Sequence, residues 1–130
     1  MVPKFRAWYT PFKGKKFGQE MIHGRAGSLI SHAEMSPDNY VLMQSTGLKD
    51  KNGVEIFEGD LVKVSVDNGF DYLFEELSIV KPSKFHSGLV CSLKSHEAEY
   101  RIIHAEILGY EYEVVGNIYE NPELLEQANA

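Results

Sequence analysis

Apolar and polar residues alternate along this chain in short bursts, with the spacing of strands rather than of helices. In residues 56–64, "IFEGDLVKV", and just beyond them, Val62, Val64 and Val66 fall on one side and Lys63 and Ser65 on the other. A period of two predicts a strand with one face buried and one face wet. Phe5, Ala7 and Tyr9 alternate with Arg6 and Trp8 in the same way, and Tyr110, Tyr112 and Val114 alternate with Glu111 and Glu113. "GSLISH", "NYVLMQS", "GLVCSL" and "EYRIIHAEI" are further short β-rich runs. The breaks between runs have turn chemistry: "TPFKGKKFG" reads as a loop, and Asn52-Gly53 and Asp67-Asn68-Gly69 as tight turns, because Asn and Gly tolerate positive φ. "FDYLFEELSIV" obeys neither period well, and predicts a loop followed by a strand near residues 77–81, stopped by Pro82. Asn121 followed by Pro122 has the form of a helix N-cap with proline in the first turn, so "PELLEQA" predicts a short terminal helix that docks through Leu124 and Leu125.

Strands spaced by 10–15 residues with turns between them predict an all-β, antiparallel fold. The expected arrangement is one domain, residues 1–130, with an N-terminal β segment (1–45), a small SH3-like barrel (54–120) and a C-terminal helix (121–128). A chain of 130 residues buries about two thirds of its extended surface, enough for a core without covalent staples. Cys91 is the single cysteine, which excludes an internal disulfide. With no charged and apolar leader in view, it predicts a protein of the reducing cytoplasm. No apolar run approaches the roughly 18 residues of a membrane span, so no membrane partner is expected.

Charge changes this picture more than composition does. The net charge is −6, which argues against non-specific binding to nucleic acid, but it is unevenly spread. Residues 1–25 hold Lys4, Arg6, Lys13, Lys15, Lys16 and Arg25 against Glu20 alone, six cations less one anion, or +5. Residues 95–130 hold eight glutamates against Arg101, or −7. The two ends are electrostatically complementary: either they face each other, within one chain or between two, or the basic end is a contact surface for something else.

Three blocks, "FRAW", "STGLKDKNGVEIFEGDLV" and "EVVGNIYENPELLE", bracket almost the whole chain. The strings TGL-K-D-x-NG-x-x-I-[YF]-EGD and GN-I-YENPELL resemble the YopX family of phage and prophage proteins. The stretch 67–105 carries little of that resemblance. The resemblance implies a mainly β protein encoded by a bacteriophage or prophage, at work in the cytoplasm of a bacterial host, and it supplies no mechanism.

Candidate chemistry is sparse. Glu58 and Asp60 flank Gly59 at the mouth of a strand, where alternate carboxylates could act as an acid/base pair. No nucleophile or histidine stands near them. Turn chemistry explains them better, with Gly59 in a conformation closed to other residues and Asp60 accepting backbone N–H bonds. Gly53, Gly59, Asp60, Gly116 and Asn121 are therefore read as turn residues, and no catalytic residue is assigned. His23, His32, His86, His96, His104 and Cys91 form none of the spacings that bring two ligands to one metal, so no metal and no cofactor is expected. The glycines of "HGRAGS" lack the lysine of a phosphate loop.

The first block alone suggests a binding surface. Lys4, Arg6, Lys13, Lys15 and Lys16 interleave with Phe5, Trp8, Tyr9, Phe12 and Phe17, a pattern of cations for phosphates and rings for unpaired bases. The competing explanation is that the rings are core and the lysines its rim. The expectation is a small non-catalytic interaction module that self-associates or binds a phage or host protein. Single-stranded nucleic-acid binding through Lys4, Arg6, Trp8, Tyr9, Phe12, Lys13, Lys15 and Lys16 is the alternative.

Overall fold

Among the described residues, nine strands and a short C-terminal helix carry the fold in the computed structural model, which describes residues 4–12, 17–25, 30, 33–67, 69, 72–84, 88–93, 98–101 and 109–128. The strands are β1 (Lys4–Tyr9), β2 (Glu20–Arg25), β3 (Tyr40–Lys49), β4 (Glu55–Phe57), β5 (Asp60–Asp67), β6 (Tyr72–Pro82), β7 (Leu89–Leu93), β8 (Glu99–Arg101) and β9 (Tyr110–Asn117). The helix, α1, spans Glu123–Ala128. The chain divides into two compact units, Met1–Ser45 and Thr46–Ala130.

In the first unit β1 lies between β2 and β3, antiparallel to both. Its middle residues, Arg6, Ala7 and Trp8, are all buried, and so is Met43, which stands opposite Arg6 on β3. Both faces of β1 are covered, which is why its simple alternation understates its burial. Of the run "GSLISH" only Ile30 is among the described residues, and it is helical rather than extended.

The second unit is built on β5. Val62, Val64 and Val66 are fully buried and pack with Ile56, Val80, Cys91 and Tyr112 in one apolar cluster. The strand order is β8-β7-β6-β5-β9, a meander whose last strand returns beside its first, every pair antiparallel. The mainly β fold with a short C-terminal helix is as the alternation predicts, and the sheet is curled. Closure into an SH3-like barrel is not established: β8 and β9 stand at opposite ends of the order, with no pairing between them among the described residues.

One expectation is corrected outright. The part of the stretch read as a loop before residue 77 that is described, from Tyr72 on, belongs to an 11-residue strand, β6. Val66 pairs with Leu73 and Val64 with Glu76, so Phe74 and Glu75 together oppose the single residue Ser65. This is a β-bulge, and within it Glu75 takes a positive φ of 47°. The extra residue shifts the period of two midway along the strand, which is why the sequence pattern there fitted no regular element.

Candidate functional site

The most distinctive sequence block folds into a closed set of backbone bonds in the second unit. Asp50, 7% exposed, accepts from three amides: its Oδ1 takes the N–H groups of Asn52 (2.9 Å) and Val54 (2.8 Å), and its Oδ2 that of Val114 (2.9 Å). Gly53, at φ 81°, completes the turn by donating its N–H to the Asp50 carbonyl at 3.0 Å. One carboxylate thus ties the β3–β4 turn to a strand 64 residues later in the chain.

The second carboxylate of the block is likewise engaged. Asp60 is buried, and its Oδ2 accepts the Phe57 N–H at 2.8 Å. Gly59 sits at φ 87°, donates its N–H to the Val80 carbonyl at 2.8 Å, and accepts the Ile118 N–H at 3.0 Å. It therefore links the ends of β6 and β9. Placing a side chain at that φ costs about 1 kcal/mol or more. Gly59→Ala should lower the urea midpoint accordingly, and an unchanged midpoint would show that the turn adapts.

The same holds at the C-terminal block. The Asn117 Oδ1 accepts the N–H groups of Tyr119 (3.0 Å) and Glu120 (2.8 Å), and its Nδ2 donates to the Glu120 carboxylate at 2.8 Å. Asn121 departs from its expected role as a forward-facing N-cap. Its side-chain oxygen turns back to accept the Asn117 N–H at 3.2 Å, and its backbone carbonyl, not its side chain, meets the Leu124 N–H at 3.1 Å. Gly116 makes room for this: a Cβ there would stand 2.5 Å from the Asn121 side-chain oxygen.

Beside this network β9 presents Glu111 and Glu113. Lys51 pairs with both, at 3.1 Å and 3.7 Å. The hydrogen bond to Glu111 and the charges of both glutamates raise the Lys51 pKa. The Lys51 N–H also donates to the Tyr112 carbonyl at 3.0 Å. The outer edge of β9 is thus occupied by the 50–54 turn at Tyr112 and Val114. An added strand could not pair there. Part of the acidity of the C-terminal region is neutralised by this lysine of its own unit.

A shallow groove opens on the outer face, lined by Lys51, Lys63, Ser65, Phe74 and Glu75 and bounded by Glu111 and Glu113. Tyr72 (72% exposed) and Phe74 (67%) stand on this side of β6. The bulge is anchored from below, because the Glu75 N–H donates to the Ser65 hydroxyl at 3.0 Å.

The residues expected to bind nucleic acid part company. Arg6 and Trp8 are buried, so neither offers its side chain to a polymer. Lys4 is exposed; Tyr9 is half-buried and stacks on Tyr40 with centroids 4.9 Å apart. Phe12, 51% exposed, touches Phe17, 76% exposed, at 5.6 Å. Lys13, Lys15 and Lys16 lie outside the described residues. Cys91 is buried, and desolvation pushes its thiol from the ordinary 9.0 up to about 12, the Asp60 charge adding to this and the Ser78 hydrogen bond opposing it. A thiol whose folded pKa is raised favours folding fully below the unfolded value, and that contribution is lost as pH rises from about 9 toward about 12. Iodoacetamide at pH 8 should therefore leave Cys91 unmodified until denaturant is added; rapid labelling of the native protein would contradict its burial. Among the described residues no group of three or more His, Cys, Asp or Glu could hold a metal ion, and no helix is long and apolar enough to cross a membrane.

The sequence profile described as YopX protein matches residues 4–126. The chain belongs to the YopX family. It is also similar to the crystal structure of protein EF1440 from Enterococcus faecalis, with 29% identity over 96% of this chain and 99% of that one and a TM-score of 0.55. No curated protein matches the chain. Within the YopX strings, sequence reasoning singled out Gly53, Gly59, Asp60, Gly116 and Asn121 but passed over Asp50 and Asn117. A local signal existed for Asp50, since an Asp two residues before Asn-Gly is placed to form an Asx turn. Its bond to Val114 had none.

Proposed function

We propose that this YopX protein is a small non-catalytic interaction module, phage- or prophage-encoded, that works by associating with copies of itself. The observation that carries this reading is how the side chains of the signature are used. Asp50, Asp60, Asn117 and Asn121 all accept hydrogen bonds from the protein's own backbone, so the residues that distinguish the family hold up a scaffold. Among the described residues, exposed aromatic side chains stand at two places, Phe12 with Phe17 and Tyr72 with Phe74. Exposed aromatic pairs of this kind are the usual anchors of a protein contact.

Light scattering at micromolar concentration, in low and in high salt, tests the reading. An assembly larger than one chain that weakens as salt rises is the expected result, and a monomer in both conditions would overturn it. The nucleic-acid alternative is weakened by the burial of Arg6 and Trp8, which removes a cation and the largest stacking ring from the surface. No shift of single-stranded oligonucleotides is expected even at low ionic strength, where phosphate contacts are strongest.

A further inference from the structure

We infer that Asn52 is a site of spontaneous deamidation held in check by its own turn: it converts to aspartate or isoaspartate only when the 50–54 turn opens, and the isoaspartate form unfastens that turn from β9. An asparagine followed by glycine is prone to this reaction, because the second residue has no side chain to hinder ring closure. Asn52 and Gly53 are both exposed, and a Cβ at Gly53 would meet nothing within 4 Å among the described residues. Asn39, Asn117 and Asn121 are followed by Tyr40, Ile118 and Pro122, which lack this opening.

The reaction needs only base and water, and no electrons are gained or lost. Base removes the Gly53 N–H proton and the nitrogen attacks the Asn52 Cγ, so that an N–Cγ bond forms, the Cγ–Nδ2 bond breaks and ammonia leaves. A succinimide ring results. Water opens it at either carbonyl: cleavage of the new N–Cγ bond leaves aspartate, and cleavage of the original peptide bond leaves isoaspartate. In the second product the main chain runs through Cβ and Cγ and is one atom longer.

In the closed turn the attacking nitrogen is already engaged. The Gly53 N–H donates to the Asp50 carbonyl at 3.0 Å, while the Asp50 carboxylate holds the amides on either side, those of Asn52 (2.9 Å) and Val54 (2.8 Å). The Asp50 N–H closes the turn on the Val54 carbonyl at 2.8 Å. Ring closure must break the Gly53 bond and swing its nitrogen onto the Asn52 side chain, so it proceeds from a locally opened turn. Closing the turn afterwards does not restore it. The added main-chain atom displaces Gly53 from Asp50, and the new carboxylate stands two residues from the Asp50 carboxylate, like charge beside like. The turn holds β9 through Asp50 on the Val114 N–H and through the Lys51 N–H on the Tyr112 carbonyl, and both bonds depend on its shape. Their loss uncovers the outer edge of β9 for pairing with another strand.

Peptide mapping by mass spectrometry after incubation of the full chain at mildly alkaline pH tests this. Cleavage at Lys51 and Lys63 puts Asn52 and the second Asn-Gly asparagine, Asn68, on separate peptides. Native wild type is expected to modify Asn52 at least about tenfold more slowly than the same chain in guanidinium chloride, which corresponds to about 1.4 kcal/mol of turn closure. Asp50→Ala, which removes the carboxylate from the turn, should approach the denatured rate. That variant also loses global stability, so Val80→Ala, which removes core volume away from the turn, serves as the control and should keep the slow rate. The purified isoaspartate form should exchange the Val114 amide faster than the unmodified chain. A native rate equal to the denatured one, an Asp50→Ala rate equal to wild type, or equal rates in Asp50→Ala and Val80→Ala would overturn the gating by the turn. Unchanged exchange at Val114 in the isoaspartate form would overturn the release of β9.

Discussion

Asp50→Ala is expected to be among the most damaging single substitutions in this protein. It leaves three amides without their acceptor, those of Asn52, Val54 and Val114. Each buried donor left unsatisfied costs about 1–3 kcal/mol, and partial access to water at the turn reduces the sum, so a loss of about 3–5 kcal/mol is expected. That is a large share of the stability of a small domain, typically about 5–15 kcal/mol. Asp50→Asn separates the two halves of the interaction. Its single side-chain oxygen can still serve the turn, but its NH₂ group would then confront the Val114 N–H, donor against donor. Urea unfolding should rank wild type above Asn above Ala. Amide exchange should show Val114 losing protection in both variants, and Val54 only in the Ala variant. Equal exchange at Val54 and Val114 in the Asn variant would mean that the carboxylate does not bridge turn and strand as described.

The second large effect is expected at Gly116. A methyl group there would lie 2.5, 2.7 and 2.9 Å from the Oδ1, Cγ and Cβ atoms of Asn121, and contacts this short cannot persist. Asn121 must leave, and the Asn117 N–H loses its acceptor. Overpacking and a lost bond together are expected to cost about 2–3 kcal/mol in Gly116→Ala. Asn121→Ala removes the same hydrogen bond but creates no clash, so it should cost about 1 kcal/mol. In the double variant the obstruction is partly relieved, since only the Cβ of residue 121 remains, and the combined loss should fall well short of the sum. Strict additivity would show that the two residues do not share one space.

The physical basis of the first block's behaviour lies in how few side chains a binding strand can spare. Arg6, Ala7 and Trp8 are consecutive and all buried, so β1 is a central strand with both faces covered, and its cation and its indole are structural. Interleaved cations and rings look the same in a sequence whether they line a polymer groove or a core. Exposure separates the two cases, and it leaves Lys4, Phe12 and Phe17 outside.

What the sequence determined by itself was whatever depends on neighbouring residues: the strands with clean alternation, such as β5 and β9, and the turns where a glycine must take positive φ, at Gly53, Gly59 and Gly69. The short helix after Asn-Pro is of the same kind. These follow from φ/ψ limits and from a period that a handful of consecutive residues can express. The tertiary structure alone decided the rest. It joined Asp50 to Val114, placed an extra residue in β6 opposite Ser65, turned Asn121 back toward Asn117 and covered Trp8. A hydrogen-bond acceptor satisfied from 64 residues away leaves no local trace. A bulge removes the periodicity by which a strand is recognised, and burial of a charged or aromatic side chain is set by what packs over it rather than by its own neighbours in the chain.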